Sequence, residues 1–252
     1  MQLTFVTGAS RGIGASLAQH LLKSGHQVIG MSRTANSDLA AAFPDTYKEV
    51  RADIGQPEAA RTAFVEELLS WKSRREGLAE VNLIHNAATL EPVRQIGTGS
   101  YALGMRQAIE TNLLGPMMLT EAFVGICQEW ATTKRVMMVS SGAGRKPKAA
   151  WSSYCTSKAA VDMYARCLAE EQQGKAFPVR ATSVAPGVVD TMMQQFIRSH
   201  PEEILPGVKR FKDLKASGNL WSTEKVASGL AMLLSAPGYG KEVILDLRDF
   251  MK

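Results

Sequence analysis

The sequence predicts an α/β fold, in which a doubly wound, seven-stranded parallel sheet carries helices on both faces. Strand-like apolar runs alternate with helix-like segments along the whole chain, as in sheets of this class. The 252 residues contain no linker, internal repeat or low-complexity tract, so we expect a single domain over residues 1–252. The first apolar run leads into a glycine-rich turn that opens a helix, which is typical of the first strand-to-helix connection.

The composition excludes several classes of function. The apolar content of 45% and charged content of 21% are ordinary for a soluble globular protein. A formal charge of +5 without a long basic run gives no support for nucleic-acid binding. Three widely spaced cysteines favour a reducing compartment, and the four histidines lack metal-ligand spacing. With no signal-peptide pattern and no membrane-length apolar run, we expect a cytoplasmic protein without a metal or a membrane partner.

The first half of the chain predicts four strands, at residues 3–6, 27–31, 47–50 and 81–85. A helix is predicted at 11–24, where Ile13, Leu17 and Leu21 recur at helical spacing and Gly25 follows as a C-cap. A short helix at 38–43 would be closed by Pro44. A longer helix at 57–75 begins with proline at an early position, where the missing N–H is harmless.

The second half predicts three strands, at residues 135–139, 179–184 and 243–245. A long helical region at 101–132 should bend near Gly115-Pro116, since proline cannot donate a helical hydrogen bond. Further helices are predicted at 152–173 and 224–234. We expect residues 1–135 to form roughly the cofactor half and residues 136–252 to supply the catalytic and substrate elements.

The glycine-rich turn suits a dinucleotide. It reads Thr7-Gly8-Ala9-Ser10-Arg11-Gly12-Ile13-Gly14, and glycines here let the backbone approach a pyrophosphate while the helix N-terminus offers free N–H groups. The fold is therefore predicted to be Rossmann-type. The predicted cofactor contacts in this turn are Gly8, Ser10, Arg11, Gly12, Ile13 and Gly14. A plain tight turn is the alternative.

The end of the second strand favours NADP(H). An NAD site usually carries an acid there for the ribose 2′-hydroxyl, whereas this chain has Ser32 and Arg33 and no acid until Asp38. Arg33 and Arg11 would clamp a 2′-phosphate. After the third strand, Asp53, with its neighbour Ile54, is predicted to contact the adenine; alternatively, Asp53 caps the following helix.

Tyr154 and Lys158 lie one helical turn apart and share a helix face. A neighbouring ammonium favours the phenolate and lowers a tyrosine pKa, so Tyr154 is a candidate proton donor near neutral pH. Ser141, at the end of the preceding strand, is predicted to hold the oxygen that receives the proton. Taken by itself, the pair is a pattern that occurs by chance in many helices.

Together these motifs resemble the short-chain dehydrogenase/reductase family over essentially the whole chain. Within the family the sequence is most similar to the sepiapterin reductases and the bacterial benzil or diketone reductases, through Trp151-x-x-Tyr154-Cys155 and the segment at 185–195. The matching elements are TGASRGIG at 7–14, Asp53, Asn86-Ala87, Asn112, Ser141, Tyr154-x-x-x-Lys158 and Pro186-Gly187.

The resemblance implies roles for these positions. Tyr154 would protonate the carbonyl oxygen, Ser141 would bind that oxygen, Lys158 would lower the tyrosine pKa and hold the ribose hydroxyls, and Asn112 would hold a relay water. It also implies a homodimer or homotetramer formed through the helices at 101–132 and 152–173. The remaining implied cofactor contacts are Asn86, Ala87, Pro186, Gly187, Val189 and Thr191.

The chain departs from the family pattern in two places. His85 and Ala88 stand where the family has asparagine and glycine, and we expect His85 to be a buried, hydrogen-bonded residue. The last strand continues into Asp246-Leu247-Arg248-Asp249 instead of Asp-Gly-Gly, which argues against a simple ketoacyl reductase.

An apolar substrate pocket is expected around Tyr154. Asp246 matches the position at which sepiapterin reductases anchor the pterin, but many family members without a pterin carry the same aspartate. The predicted walls are Leu90, Trp151, Met192, Met193 and Phe196.

The leading hypothesis is an NADPH-dependent reductase of a ketone or α-dicarbonyl, a small-molecule carbonyl substrate of sepiapterin or benzil type. The alternatives are an NADP-dependent secondary-alcohol dehydrogenase or 3-oxoacyl-type reductase, an NADP(H)-sensing regulatory protein, and a purely structural oligomer component. An intact Ser-Tyr-Lys set argues against the sensor, because a sensor needs no proton donor.

Overall fold

A computed structural model describes residues 1–99 and 101–252. Across these residues, seven strands form one parallel sheet in the order β3-β2-β1-β4-β5-β6-β7. The predicted fold class is confirmed. The strands are β1 (Gln2–Thr7), β2 (His26–Ser32), β3 (Tyr47–Arg51), β4 (Glu80–His85), β5 (Thr133–Val139), β6 (Val179–Ala185) and β7 (Ile244–Asp246).

Helices connect the strands and cover both faces of the sheet. They are α1 (Gly12–Lys23), α2 (Ser37–Ala42), α3 (Pro57–Ser70), α4 (Ala102–Ile109), α5 (Gly115–Cys127), α6 (Ser152–Glu171), α7 (Met192–Arg198), α8 (Val208–Ala216), α9 (Thr223–Ser235) and α10 (Leu247–Phe250). Because the order reverses between β1 and β4, the strand ends at this point open a crevice.

Alternate residues of the central strands point to opposite faces and form two buried layers. On one face, Phe5 and Leu83 pack with Phe64 of α3, Phe123 of α5 and Val161 of α6. The other layer packs α1 and α9 against the opposite side of the sheet. The sheet is thus covered on both sides, and polar groups meet at the carboxyl edge of the strands.

The predicted helix at 101–132 is interrupted where proline was expected to bend it. The helix α4 is followed by a π-helical segment, Glu110–Leu114, and then by α5, which ends at Cys127. Pro116 has no N–H and cannot give the Asn112 carbonyl its α-helical hydrogen bond, which accounts for the wider turn just before it.

Other element boundaries also differ from expectation. The helix predicted at 57–75 ends at Ser70, and a 3₁₀ helix, Lys72–Gly77, follows it. The last strand is shifted by one residue, to Ile244–Asp246. Three helices, α7, α8 and α10, were not predicted, because each has fewer than ten residues and so shows too few turns for a helical period to be recognised. Within the described ranges, no helix has both the length and the apolar character that crossing a membrane requires.

Candidate active site

The glycine turn leaves β1 in a conformation that side chains would obstruct. Gly8 and Gly12 have φ values of +69° and +59°, in the left-handed region that favours glycine. A Cβ on Gly14 would lie 2.2 Å from the Gly8 carbonyl oxygen. The first turn of α1 is therefore closed tightly against the end of β1.

Hydrogen bonds to the residues that follow β4 hold this turn in place. The Asn86 side-chain amide donates to the carbonyls of Thr7 (3.1 Å) and Gly8 (3.2 Å). The Thr7 hydroxyl accepts from the backbone N–H groups of Asn86 (3.0 Å) and Ala87 (3.1 Å). The asparagine and alanine predicted to contact the cofactor thus hold the turn that would bind it.

The N-terminus of α1 has the features of an anion site. Its N-cap, Arg11, makes no side-chain capping bond, and the first turn carries no acid, so the helix dipole and N–H groups are available to phosphate. The nearest atom to a Cβ placed on Gly12 is Thr191 Cγ2, at 3.8 Å. This cradle between α1 and the start of α7 fits a pyrophosphate, as a dinucleotide cofactor requires.

The adenosine end has both cationic and carboxylate groups. Arg11 and Arg33 are exposed at the rim, while the Ser32 hydroxyl donates to the Thr34 carbonyl at 3.1 Å. Glu49 of β3, which the sequence argument did not consider, accepts hydrogen bonds from the Asn36 backbone N–H and from Tyr47. The Glu49 carboxylate, which tertiary folding brings to this end of the site, is therefore already hydrogen-bonded within the protein.

Asp53 does not cap α3, which was the alternative considered for it. Its Oδ1 accepts from the Gly55 backbone N–H at 2.9 Å, and the N-cap of α3 is Gln56. The side chain of Ile54 is buried in the core, so only its backbone is left to face the cofactor. The contact predicted between Asp53 and the adenine stays a prediction.

The Ser141, Tyr154 and Lys158 side chains converge at the carboxyl end of β5. The Ser141 hydroxyl lies near enough to Tyr154 to lower the pKa of its phenol, and it accepts from the Ala143 backbone N–H at 3.1 Å. The Lys158 Nζ lies 5.8 Å from the centroid of the Tyr154 ring and donates to the Val139 carbonyl at 2.7 Å. Ser140 is buried and bonds the Lys158 carbonyl, which leaves Ser141 as the serine that reaches the tyrosine.

The ionisation of this group differs from the expectation that Lys158 lowers the tyrosine pKa. Burial raises the pKa of Tyr154 to about 12, and the lowering influence is the hydrogen bond from Ser141. Burial also lowers the pKa of Lys158 to about 8, opposed by the Asp162 carboxylate. The lysine donates its hydrogen bond to the Val139 carbonyl, and burial of the phenol dominates the net shift of the tyrosine pKa.

Asn112 lies in the π segment and its side chain is fully engaged. Its Nδ2 donates to the Thr89 carbonyl (2.8 Å) and the Ser157 hydroxyl (3.1 Å), and its Oδ1 accepts from the Thr89 N–H (2.8 Å). These bonds tie the loop after β4 to α6. Because the side chain is occupied, the backbone carbonyl of Asn112 would have to hold the relay water. The relay role of Asn112 stays a prediction.

His85 is buried, as expected for the residue that replaces asparagine. Its Nε2 is hydrogen-bonded to the Thr120 hydroxyl at 2.8 Å. Burial lowers its pKa to about 3, and the nearby Lys158 acts in the same direction. The imidazole is therefore neutral at physiological pH and is a packing group beneath the lysine.

An apolar cluster covers Tyr154 on the substrate side. Trp151 and Leu90 are buried in it, and Met193 and Phe196 of α7 are partly buried against it. The structure thus brings together four of the predicted pocket walls. Sequence reasoning missed five residues of the same cluster, which come from the loop after β4, from α7, from the α7–α8 connection and from α8: Val93, Ile197, Leu205, Val208 and Phe211. The helical spacing of Val208 and Phe211 was the available signal.

Two predicted pocket residues contact arginine side chains. Met192 is 60% exposed, and its sulfur contacts Arg11 Nη1 at 3.3 Å, because successive residues at the start of α7 point about 100° apart. The Asp246 carboxylate accepts from the Arg248 backbone (3.0 Å), Nε (2.8 Å) and Nη2 (2.6 Å). This pairing occupies the carboxylate proposed to anchor a pterin.

The turn after β6 forms the remaining wall of the cleft. Pro186 and Val189 are buried, and Gly187 has a φ of +85° with Arg248 packed against it. Thr191 caps α7 by accepting from the Gln194 N–H at 3.3 Å. These four residues, predicted as cofactor contacts, thus lie in sequence along the side of the cleft opposite the glycine turn.

Comparisons with known proteins agree with this architecture. The short chain dehydrogenase family model matches residues 2–202. Benzil reductase ((S)-benzoin forming) from Bacillus cereus is 36% identical, covering 99% of this chain and 100% of the relative. Sepiapterin reductase from Xenopus tropicalis is 31% identical over 98% of this chain and 96% of the relative.

A solved short-chain dehydrogenase/reductase from Saccharomyces cerevisiae superimposes with a TM-score of 0.83 at 26% identity, covering 100% of both chains. The similarity therefore extends from the sequence motifs to the whole fold. From the family match, the relatives and the site geometry together, the chain belongs to the short-chain dehydrogenase family of oxidoreductases.

Proposed function

We propose that this protein is an NADPH-dependent carbonyl reductase that acts on a ketone or α-dicarbonyl. The observation that carries the proposal is the placement of Tyr154 beside Ser141, with the Lys158 Nζ 5.8 Å from the phenol ring and an apolar cluster over it. The names of the relatives, benzil reductase and sepiapterin reductase, support a carbonyl substrate.

The roles of the residues follow from their chemistry. When bound, a reduced nicotinamide cofactor supplies hydride to the carbonyl carbon. Tyr154 donates its proton to the carbonyl oxygen, while the Ser141 hydroxyl donates a hydrogen bond to the same oxygen. The buried ammonium of Lys158 favours the tyrosinate that remains. A pKa of about 12 keeps Tyr154 protonated at neutral pH, as a proton donor in reduction must be.

The exposed arginines support NADP(H) as the cofactor. Arg11 and Arg33 are the cations at the rim beside the glycine turn, and neither is paired with an acid among the described residues. A guanidinium binds a phosphate through bidentate, charge-assisted bonds. The 2′-phosphate of NADPH would satisfy both groups, whereas the ribose hydroxyl of NADH would satisfy neither.

The apolar walls favour a bulky carbonyl substrate. Indole, thioether and phenyl groups from Trp151, Met193 and Phe196 belong to the same apolar cluster as the reacting phenol, and such linings suit aromatic or branched ligands. We also propose a homodimer or homotetramer, formed through the helices that flank the site.

The experiment that tests this function follows NADPH oxidation with a panel of diketones, pterins, quinones and simple ketones. We expect turnover of at least one dicarbonyl, with a clear preference for NADPH over NADH. Oxidation of secondary alcohols in preference to carbonyl reduction would favour the dehydrogenase, and cofactor binding without turnover would favour the sensor.

Arg33→Ala tests the cofactor assignment separately. Loss of one charge-assisted phosphate contact should weaken NADPH binding by about 1.5–3 kcal/mol, or roughly 10- to 150-fold, with little change for NADH. The control Arg51→Ala removes an exposed arginine from β3. Equal use of NADH by the wild type, or unchanged NADPH affinity in Arg33→Ala, would contradict the assignment.

A further inference from the structure

Trp151 carries a buried hydrogen-bond donor within the apolar cluster that covers Tyr154. It is the N-cap of α6, three residues before Tyr154, and only 5% of it is exposed. The indole meets the Tyr154 ring edge-on, with centroids 5.9 Å apart, and Phe211 of α8 lies 5.5 Å away. Its Nε1 has no hydrogen-bond partner among the residues that the structure describes.

An unpartnered indole N–H in this position needs a physical account. Tryptophan is a donor only, and a buried indole N–H usually finds an acceptor. Trp71 shows the ordinary arrangement in this chain, since its Nε1 donates to Glu67 Oε1 at 3.3 Å. Burial without a partner loses the hydrogen bond to water and gains nothing in return, so an acceptor atom brought to the Trp151 N–H would recover that loss.

The backbone that presents the indole is strained. Ala150, directly before it, has a φ of +64° and is the sole non-glycine residue with positive φ in the described ranges. Its carbonyl accepts from the Arg94 N–H at 2.9 Å, which fastens the strained peptide to the loop after β4. Such strain persists where surrounding structure enforces it, and it concentrates at ligand sites.

We propose that the Trp151 N–H donates a hydrogen bond to the second oxygen of an α-dicarbonyl substrate. The inference rests on the proposed carbonyl reductase function and deepens it. The two oxygens of a dicarbonyl sit on adjacent carbons, and the Tyr154 and Trp151 rings are likewise in contact. One oxygen would lie at Tyr154 and Ser141, and the other at the indole.

This arrangement also sets which product leaves the site. At the carbonyl next to Tyr154, the carbon gains a hydride, the π electron pair moves to oxygen, and that oxygen takes the phenol proton as NADPH becomes NADP⁺. An indole N–H donates a hydrogen bond without giving up its proton at neutral pH, so the second carbonyl is bound but not protonated. The product of one turnover is therefore an α-hydroxyketone.

The test compares two substrates that differ by one oxygen atom. Benzil has two adjacent carbonyls, and deoxybenzoin replaces one of them with a methylene group. In Trp151→Phe, which keeps an aromatic ring but removes the N–H, kcat/KM for benzil should fall by roughly tenfold or more. For deoxybenzoin, which has no second oxygen for the indole, only the loss from altered packing remains, so the ratio of the two kcat/KM values should fall by roughly tenfold.

Two further variants separate the donor from its packing. Site-specific 3-benzothienylalanine at position 151 keeps the bicyclic shape, replaces the N–H with sulfur and should reproduce the selective loss even if Trp151→Phe folds poorly. Phe211→Leu alters the packing on the indole while keeping its N–H, and should change both substrates by the same factor.

The outcomes distinguish this assignment from the proposed function. If Trp151→Phe and the benzothienyl variant leave the ratio of kcat/KM for benzil to that for deoxybenzoin unchanged, the role of the indole is overturned. The proposed function would then still stand. A wild-type protein that reduces neither compound nor any other carbonyl would overturn the proposed function, and this assignment with it.

Discussion

At the scale of single residues, Tyr154 is subject to two opposing influences. Burial raises the pKa of its phenol to about 12, while the hydrogen bond from Ser141 acts to lower it. The group is consequently protonated across the physiological range. This state suits an enzyme that delivers a proton to a carbonyl more than one that must start from tyrosinate to oxidise an alcohol.

Removal of the phenol hydroxyl tests this role. Tyr154→Phe keeps the ring that packs against Trp151, so NADPH binding and stability should be retained. Carbonyl reduction should fall by roughly 10²–10⁴-fold because the proton donor is lost. Tyr164→Phe is the matched control, since it removes a hydroxyl farther along the same helix α6. Full activity in Tyr154→Phe would show that another group supplies the proton.

His85 predicts how stability depends on pH. Its pKa is about 3 in the folded protein and near 6.5 in an unfolded chain. Between these values only the unfolded state binds the proton, so stability falls as pH falls, by about 1.4 kcal/mol per pH unit. Above pH 6.5 the imidazole is neutral in both states and does not make the free energy of unfolding depend on pH.

His85→Asn should remove this dependence. Urea unfolding at pH 7.5 and pH 5.0 should show the wild type losing about 2 kcal/mol more than the variant between the two conditions. His26, whose pKa is also lowered by burial, is present in both proteins and cancels in the difference. Parallel losses in the two proteins would show that His85 does not stay neutral in the folded state.

At the scale of elements, the glycine turn and the π segment shape the two sides of the site. Gly14 admits the close approach of α1 to β1 because it has no side chain. Pro116 interrupts the helix that carries Asn112, and the wider turn lets that asparagine bind both the Thr89 backbone and α6. Gly14 thus acts through its missing side chain, and Pro116 acts through its missing N–H.

Gly14→Ala tests the turn. The added methyl would meet the Gly8 carbonyl at 2.2 Å, and relieving that overlap should cost roughly 1–3 kcal/mol of unfolding free energy together with NADPH affinity. Gly125→Ala is the control, because it lies in α5 with nothing within 4 Å of the new methyl. That variant should gain about 0.5–1 kcal/mol in thermal or urea unfolding, and a similar loss in both variants would contradict the steric explanation.

At the scale of the whole molecule, the two faces of the sheet carry different helices. The helix α6 supplies both Tyr154 and the exposed Met163, while α9 covers the opposite face with the exposed Met232. Assembly through the α4–α6 side would therefore connect an oligomer interface directly to the catalytic helix.

Met163→Asp tests the proposed assembly. A charge placed in an apolar interface leaves an unpaired buried carboxylate, so sedimentation velocity should show a smaller species than for the wild type. Met232→Asp is a matched control, since the two methionines are 56% and 58% exposed. If only Met232→Asp dissociates the protein, the interface lies on the α9 face instead. A monomeric wild type would contradict the proposed assembly.

Much of the fold followed from local patterns, because alternating apolar periods and turn residues act over a few positions. Elements were missed where local signals are weak. The helices α7, α8 and α10 are short; apolar residues of α7 and α8 pack in the cluster over Tyr154, and Leu247 of α10 packs in the core with α1 and α9. The π segment was anticipated only as a bend at proline, since sequence does not reveal how a helix resolves a missing hydrogen bond.

The sequence by itself determined the family, the glycine turn and the Ser141, Tyr154 and Lys158 set, because these depend on residue type and spacing. Tertiary structure alone decided their surroundings. It buried Tyr154 and raised its pKa, tied Asp246 to Arg248, turned Met192 towards Arg11 and left the Trp151 N–H without a partner among the described residues. Burial and hydrogen-bond pairing join residues that are distant in the chain, and no local pattern records them.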